Sequence, residues 1–365
     1  MAGDDDELAR LRAELDAVDD EILAALNRRA AIVERVAAHK RATGAPYYVA
    51  DRERQIIERL TAANPGPFPT AAIRPVVQEI VSACRSLEKG VRVAYLGPEG
   101  TFTHQAAKLH FGASCRAVPA GTIAAVFAEV TRGQADFGVV PVENSSEGIV
   151  SHTLDEFVDR DLQIVAEVFV QVSHCLLVHH DIDEGAIARV YSHPQALAQC
   201  RGWLRANLPR AALVETTSTA DAARAAQTDA AGAAIASELA AKLYDLRVLR
   251  RQLQDVADNR TRFLVVGPPS AAPPPTGRDK TSALLVLRDK PGALYEALKP
   301  LSEAGVNLTK IESRPSRRRP WEYVFFLDMD GHAADPALRD VLDAVAAWCE
   351  QFKVLGSYPK VNSDG

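Results

Sequence analysis

The stretch Gly138–Gly148 changes from apolar to polar within a few residues. Its first part, GVVPV, is rich in β-branched residues and predicts a buried strand. Its second part, ENSSE, brings carboxylate, amide and hydroxyl groups together. Such groups can bind an anionic substrate or transfer a proton, and the carboxyl end of a parallel strand is where α/β proteins place ligands. An ordinary strand followed by an N-capped helix explains the same pattern equally well.

Three further polar segments occur at predicted strand ends or helix starts. They are Gly97–Thr103, Ser192–Gln195 with Gln199, and Asn259–Phe263. Backbone N–H groups at such positions are free to bind an anion. Each segment taken alone also fits an ordinary turn, cap or strand start. Together with the first stretch, they predict one polar cleft.

Two cations lie on an otherwise apolar helical face near the N-terminus. At 100° per residue, Arg29, Val33, Val36 and Lys40 fall on one line. Buried cations need anions, so this face predicts an anion site. Arg12 lies ~25 Å from Arg29 along a straight helix, too far for both to hold one small ligand, so an anion at Arg12 is expected in a partner chain's site. A coiled-coil-like helix with surface ion pairs is the alternative interpretation.

The elements that carry these cations are helical. Apolar residues recur at intervals of three and four from Leu8 to Val36, with no Gly or Pro before Gly44. This period predicts one helix of about 35 residues, which needs partner helices or another chain to bury its apolar seam. Shorter helices are expected over about 49–63 and 71–89. We therefore expect an all-α domain over residues 1–89.

The polar segments fall in a range with a different pattern. From residue 91 to 267, about nine β-rich runs alternate with Ala-rich helical segments, which indicates an α/β domain. Because the polar segments lie in both halves, we expect two lobes around a cleft, with crossings near Val170 and Leu249. A Pro-rich linker is expected over 268–280. The order strand-helix-strand-strand-helix-strand then predicts a ferredoxin-like α+β domain over 281–365.

Composition narrows the class of protein. The chain has 365 residues, 47% of them hydrophobic, and a net charge of −6. The sequence has no basic stripe of the kind that binds nucleic acid. It also has no apolar run long enough to span a membrane. The five cysteines are scattered without CxxC spacing, and the acidic N-terminus lacks a signal-peptide pattern. We expect a cytoplasmic globular protein without a metal or a cofactor.

The helical part resembles a known family. LRAELDAVDDEILAALNRRAAIVERVAAHK, followed by DRERQIIERL, is similar to the all-helical chorismate mutase domain over residues 7–89. The resemblance implies an intertwined dimer in which Arg12 of one chain and Arg29 and Arg52 of the other bind the carboxylates of chorismate. It further implies that Lys40 faces the ether oxygen and that Glu53 holds the ring hydroxyl. This rearrangement needs no nucleophile, only a site that folds the dianion and stabilises charge on the ether oxygen.

Three positions near this site differ from many or some relatives. Val49 stands where many relatives have Asp, so one polar contact is missing or replaced. Glu88 stands where relatives have Gln or Glu, and it must be protonated to donate to the ether oxygen. Cys84 replaces a Ser found in some relatives.

The four polar segments, in this order, resemble prephenate dehydratase across residues 91–267. The resemblance implies a two-lobed fold like that of type 2 periplasmic binding proteins. Thr261 is implied as the catalytic hydroxyl that assists the departing hydroxide of prephenate. Asn144, Ser192 and Gln199 are implied to bind the substrate, whereas Arg262 is interpreted as a structural cation.

Two motifs in the last domain resemble the amino-acid-binding motifs of ACT regulatory domains. Phenylalanine is the implied effector, and the implied binding residues are Gly292, Ala293, Leu294, Glu312, Ser313, Arg314 and Pro315. Both motifs are expected in loops. ACT domains bind at a dimer interface, so we expect a homodimer or a higher homo-oligomer.

The resemblances together imply a bifunctional isomerase and carbon–oxygen lyase of phenylalanine biosynthesis. It would convert chorismate to prephenate and then to phenylpyruvate, with phenylalanine as inhibitor. A dehydratase whose helical domain only dimerises is one alternative, with Val49 as its main support. A two-lobed small-molecule sensor is another, and a preference for arogenate over prephenate is a further variant.

Overall fold

The structure is a computed structural model that describes residues 2–43, 50–179, 182–316 and 323–361. The chain divides into two compact units. The first contains Met1–Val91 and Phe111–Arg116, and the second contains Arg92–His110 and Ala117–Gly365. None of the described helices is both long and apolar enough to cross a membrane.

Three helices form most of the first unit: α1 (Ala2–Thr43), α2 (Ala50–Ala62) and α3 (Thr70–Lys89). The predicted long helix and its two shorter partners are confirmed, and α3 packs against both of the others. The first half of α1 keeps its apolar seam exposed. Five side chains there are 45–64% exposed: Leu8, Leu11, Leu15, Val18 and Ile22. A stripe of this kind is available to a partner.

The second unit begins with the predicted α/β domain. Its strands are β1 (Arg92–Leu96), β2 (Arg116–Ala120), β3 (Phe137–Asn144), β4 (Gly148–Ile149), β5 (Gln163–Gln171), β6 (Cys175–Val178), β7 (Arg189–Ser192), β8 (Ala212–Glu215), β9 (Gly232–Ala236), β10 (Arg247–Arg250) and β11 (Arg260–Gly267). Its helices are α4 (Phe102–Phe111), α5 (Ile123–Thr131), α6 (Ser151–Asp159), α7 (Pro194–Gln199), α8 (Arg201–Asn207), α9 (Thr219–Thr228) and α10 (Glu238–Leu243).

These strands form two sheets, one in each lobe. The first has the order β2-β1-β3-β11-β5, with β4 paired to β3, and the second has the order β10-β6-β9-β7-β8. The chain crosses between β5 and β6 and returns between β10 and β11, so both predicted crossings are confirmed. The expectation of a parallel sheet around Gly138–Gly148 is only partly correct. β3 is parallel to β1, but β11 returns from the second lobe and pairs with β3 antiparallel.

The C-terminal domain has the predicted ferredoxin-like order. Its elements are β12 (Asp279–Leu287), α11 (Ala293–Glu303), β13 (Leu308–Pro315), β14 (Tyr323–Asp330), α12 (Pro336–Ala346) and β15 (Cys349–Pro359). The sheet order is β13-β14-β12-β15. The run Glu312–Pro315 lies in β13, so its expected position in a loop is wrong. Strand pairing with β14 extends as far as Pro315.

One face of the C-terminal sheet packs against the first lobe. Alternating side chains of β12 divide between two cores. Ala283 and Leu285 pack with α11 and α12, whereas Leu284 and Val286 share a core with β11 and α6. The first-lobe sheet and the C-terminal sheet are thus joined by a continuous apolar core.

Candidate active sites

Asn144 and Thr261 lie directly opposite each other where β3 pairs with β11. Both side chains are buried, and Asn144 Nδ2 donates a hydrogen bond to Thr261 Oγ1 at 2.8 Å. The two residues are 117 positions apart in sequence. Strand pairing alone therefore brings these two predicted site residues together.

The backbone sets the orientation of the Asn144 amide. Asn144 Oδ1 accepts hydrogen bonds from the N–H groups of Ser146 and Glu147, each at 3.0 Å. A carbonyl oxygen must occupy that position, so Nδ2 points the other way, toward the start of β11. From there it donates to Thr261 and to Asn259 Oδ1, the latter at 2.7 Å.

The Thr261 hydroxyl therefore acts as an acceptor toward Asn144. Among the described residues, the hydroxyl itself donates to no group. Its own proton is thus available for an oxygen of a bound molecule. A threonine is a weak acid, and a fixed donor on its oxygen favours proton donation at this position.

The second lobe supplies Gln199 to the same cluster. Gln199 Oε1 accepts from Asn259 Nδ2 at 3.1 Å and lies 2.9 Å from His174 Nε2. Gln199 Nε2 donates to Glu147 Oε1 at 3.2 Å. We call the connected side chains the cleft network: Thr261, Asn144, Asn259, Gln199 and His174. The network joins residues of both lobes and of both crossings.

Ser192 does not join the cleft network. It is fully buried at the end of β7, and its Oγ donates to the carbonyl oxygen of Ile235 at 2.6 Å. The neighbouring His193 caps α7, as its Nδ1 accepts from the N–H of Gln195. These contacts stabilise the strand end and helix start that hold Gln199.

The predicted polar segment Gly97–Thr103 connects the two lobes. The carbonyl oxygen of Gly100 accepts from Ser237 Oγ at 2.7 Å, and that of Glu99 accepts from Tyr244 Oη at 3.1 Å. His104 Nδ1 accepts from the N–H of Gly100. Burial lowers the pKa of His104 to about 4, so this histidine stays a neutral acceptor near pH 7.

The next residue on each strand contacts the C-terminal domain. Glu143 and Arg262 are paired across β3 and β11, next to Asn144 and Thr261, and strand alternation places them on the other face of the sheet. Glu143 Oε2 accepts from Lys310 Nζ of β13 at 2.7 Å. Arg262 Nη1 donates to Asp328 Oδ2 of β14 at 2.6 Å. Residues adjacent to the candidate catalytic pair are thus bound to the C-terminal sheet.

Arg262 belongs to a buried ionic cluster, formed by Arg262, Lys280, Glu167 and Asp328. Glu167 Oε2 lies 2.9 Å from Arg262 Nε and 2.8 Å from Lys280 Nζ. Burial opposes ionisation of Asp328, but the charge of Arg262 and a hydrogen bond from Ser282 outweigh it and lower the pKa of Asp328. Two cations and two carboxylates therefore balance each other beneath the cleft, as the interpretation of Arg262 as a structural cation predicts.

In the helical unit, Glu53 and Arg85 form an ion pair with 3.4 Å between Oε2 and Nη2, and both side chains are largely buried. Burial raises the pKa of Glu53, although Arg85, Arg74 and Arg29 oppose the rise. Arg29 Nη1 is buried and has no hydrogen-bond partner among the described residues. An unused cationic donor beside a carboxyl group of raised pKa suits an anion that carries a hydroxyl group.

The other predicted residues of this site are placed less fully. Arg12 is exposed and Lys40 is half-buried, both on α1. Arg52 and Glu88 lie in α2 and α3, but their side chains fall outside the described part of the structure. Val49 lies outside the described residues.

The predicted effector motifs occupy α11 and β13. Gly292 precedes α11 with φ +79°, and a Cβ there would meet nothing within 4 Å. The left-handed backbone, rather than space, therefore requires glycine. On β13, Arg314 faces the first lobe with its Nε 3.5 Å from Asp155 Oδ1, whereas Ser313 is exposed. The remaining motif residues adjoin these: Ala293, Leu294, Glu312 and Pro315.

Comparison with known proteins decides the family. Models of chorismate mutase type II, prephenate dehydratase and the ACT domain match residues 11–89, 93–271 and 281–347. A bifunctional chorismate mutase/prephenate dehydratase of Aquifex aeolicus is 47% identical over 359 residues, which cover 97% of this chain and 98% of that protein. The chain belongs to this bifunctional family. The resemblances of all three segments are confirmed.

Solved structures resemble about three quarters of the chain. Prephenate dehydratase from Arthrobacter aurescens, in complex with L-Phe, is 37% identical with a TM-score of 0.69, over 74% of this chain and 90% of that one. GqqA, a quorum quenching acylase, is 32% identical with a TM-score of 0.70, over 75% of this chain and all of that one. Because both share the fold, the fold alone does not set the activity.

Three residues near these sites were missed by the sequence analysis, two with a weak signal and one with none. Asn259 stands in the polar run Asn259–Phe263, but nothing marked its role as the link between lobes. Arg85 precedes Glu88 by one helical turn, and an i, i+3 search on α3 would have found it. His174 had no signal, because only the folded chain places it beside Gln199.

Proposed function

We propose that the helical unit converts chorismate to prephenate and that the cleft converts prephenate to phenylpyruvate, under inhibition by phenylalanine. The hydrogen bond from Asn144 to Thr261 carries the proposal for the cleft. Similarity along the whole length of a bifunctional relative supports two activities in one chain.

In the cleft, the reaction needs a proton for the departing hydroxide. As the bond to the ring carboxylate breaks, its electron pair enters the ring, the C–O bond breaks, and CO₂ and water leave. Thr261 donates to the leaving oxygen, and the Asn144 amide stabilises the charge left on Oγ1. Gln199 binds the substrate from the second lobe, and Ser192, whose hydroxyl donates to the carbonyl oxygen of Ile235, supports the strand end beside it. The preference for prephenate over arogenate is also proposed.

In the helical unit, we propose that two chains form each site. Arg12 of one chain joins Arg29 and Arg52 of the other on the substrate carboxylates, while Lys40 and Glu88 face the ether oxygen and Glu53 holds the hydroxyl. The exposed apolar stripe of α1 supports a homodimer. Location in the cytoplasm and independence of cofactors remain predictions.

The mutase reaction is expected to slow as pH rises, because only protonated Glu88 donates to the ether oxygen. Glu88→Gln supplies a donor at every pH and should flatten the profile. The measurement is mutase kcat/KM from pH 5 to 9 in both proteins. Identical profiles would contradict the assigned role of Glu88.

Phenylalanine regulates only if it binds one state of the enzyme better than another. Two contacts connect the C-terminal sheet to the cleft. Lys310 binds Glu143, which is next to Asn144, and Asp328 binds Arg262, which is next to Thr261. We propose that phenylalanine binds at Gly292–Leu294 and Glu312–Pro315 and shifts β13 and β14 relative to the first-lobe sheet.

Ser313→Ala and Gly292→Val are expected to relieve this inhibition. Ser313 loses a hydroxyl on an exposed face of β13, and Val at residue 292 disfavours φ +79°. The measurement is the phenylalanine concentration that halves dehydratase activity, with Thr309→Ala, on the same exposed face, as control. Unchanged inhibition in both variants would count against this site.

The experiment that tests the two activities supplies each substrate separately. Purified enzyme should consume chorismate in one assay and prephenate in the other. Phenylalanine should lower the rate of prephenate consumption. If the mutase is unregulated, the rate of chorismate consumption should stay the same. Consumption of prephenate without consumption of chorismate would reduce the helical unit to a dimerisation module. Consumption of neither would favour a binding protein.

A further inference from the structure

His174 lies behind the cleft and has no part in the chemistry described so far. The residue is buried, with 2% of its surface exposed. Two hydrogen bonds hold its backbone: its N–H donates to the side-chain Oε1 of Gln254, and its carbonyl oxygen accepts from the N–H of Leu253, each at 3.0 Å. The ring of Phe102 meets its edge with centroids 5.6 Å apart. The imidazole is therefore fixed before any substrate arrives.

A chain of hydrogen bonds through the cleft network fixes which ring nitrogen of His174 carries the proton. This chain begins at backbone N–H groups, at the end of the network opposite His174. The N–H groups of Ser146 and Glu147 fix Asn144 Oδ1, so Asn144 Nδ2 must donate to Asn259 Oδ1. Asn259 Nδ2 must then donate to Gln199 Oε1. Since the atom of Gln199 nearest to His174 is an acceptor, His174 Nε2 must carry a proton.

The other ring nitrogen has no such role. His174 Nδ1 is buried, and no described residue forms a hydrogen bond with it. Burial lowers the pKa of His174, and the hydrogen bond with Gln199 raises it. The effect of burial is the larger, so the pKa of His174 is lowered. The neutral ring with its proton on Nε2 is the form that these surroundings favour.

We propose, on the basis of the proposed dehydratase function, that His174 is a positioning residue that fixes the amide orientation of Gln199. With Oε1 held by His174 and Asn259, Gln199 Nε2 points toward Glu147 and presents N–H to the cleft. Without the His174 donor, Oε1 keeps one of its two donors. The amide can then rotate and present its oxygen to an anionic substrate, which repels it.

The variants separate the donor from the shape of the ring. His174→Phe keeps a ring without an N–H, and His174→Gln restores an N–H at a similar distance from the backbone. We expect His174→Phe to lower dehydratase kcat/KM for prephenate ~10–100-fold, the size of effect that misplaced substrate contacts produce, and His174→Gln to recover most of it. The mutase rate of the same chain reports protein quality.

A double-mutant cycle with Gln199→Ala tests whether His174 acts through Gln199. Once Gln199 is gone, adding His174→Phe should change kcat/KM by less than about twofold, because the interaction no longer exists. If the two substitutions lower kcat/KM independently, so that their fold-losses multiply in the double variant, the proposal is overturned. Full activity of His174→Phe in an otherwise active enzyme would also overturn it. Failure of the unmodified enzyme to consume prephenate would instead overturn the proposed function.

A measurement on the unmodified enzyme covers the case in which His174→Phe does not fold. The ¹⁵N chemical shifts of the histidine rings distinguish the two neutral tautomers and the cation. His174, assigned by comparison with His174→Gln, should show the proton on Nε2 alone at pH 7. A proton on Nδ1 alone, or on both nitrogens, would contradict the proposal.

Discussion

Thr261→Val is expected to lower the dehydratase kcat by ~10²–10⁴-fold, the usual contribution of a general acid. Valine has nearly the shape of threonine but has no proton for the departing hydroxide. Asn144 keeps its orientation in this variant, because its Oδ1 is held by two backbone N–H groups. The loss therefore reports the hydroxyl itself rather than a rearranged cleft.

The comparison for this variant is Thr261→Ser, which retains a hydroxyl at the same position and should retain most of the activity. The mutase reaction, in the helical unit, should be unchanged in both proteins. Steady-state rates with prephenate at several concentrations separate kcat from KM. A Thr261→Val enzyme within about threefold of the unmodified kcat would exclude Thr261 as the proton donor.

Arg262→Met is expected to destabilise the second unit by about 3–5 kcal/mol, because it leaves Glu167 and Asp328 buried with one cation fewer. In a unit of this size, each kcal/mol lowers the melting temperature by roughly 2–4 °C. The matched control is Arg260→Met on the same strand. Arg260 pairs with Asp258 at the surface, so its replacement should cost less than about 1 kcal/mol.

The Arg262 effect should depend on pH in a defined direction. The pKa of Asp328 is lowered in the folded protein. Its contribution is therefore complete above the unfolded pKa of about 3.9 and is lost as pH falls toward the folded value. The difference in melting temperature between the unmodified protein and Arg262→Met should narrow in acid. A constant difference, or equal effects of Arg262→Met and Arg260→Met at pH 7, would show that the cluster contributes little.

Arg262→Met should also weaken inhibition by phenylalanine at temperatures where it remains folded. Arg262 connects β11, which carries Thr261, to Asp328 of β14 and Tyr358 of β15. Removing the guanidinium breaks the contacts of β11 with Asp328 and Tyr358 of the C-terminal domain. The contact of Lys310 with Glu143 remains, so partial rather than complete loss of inhibition is expected.

Local sequence patterns predicted the elements well, because each pattern is a property of neighbouring residues. The period of α1 required one long helix, and the β-rich runs marked most strands of both lobes. β10 was not predicted as a strand, since Arg247–Arg250 alternates over four residues only. The antiparallel insertion of β11 was not predictable from pattern, because a strand's direction in a sheet depends on where the chain returns.

The site was predicted as a set of residues but not as a geometry. Asn144, Gln199 and Thr261 were named by resemblance, and the cleft network then joined them through Asn259 and His174. Ser192 has its hydroxyl directed to a backbone oxygen instead. The contacts of Glu143 and Arg262 with the C-terminal sheet depend on how two sheets pack, which no single stretch of sequence encodes.

The most direct test of two sequential activities in one chain is a time course with chorismate as the only substrate. Chorismate, prephenate and phenylpyruvate are quantified separately, with phenylalanine added to a parallel sample. We predict that phenylpyruvate forms in the first sample and that prephenate accumulates in the second. Persistence of chorismate, or its conversion to prephenate with no phenylpyruvate in either sample, would contradict the assignment of two active sites.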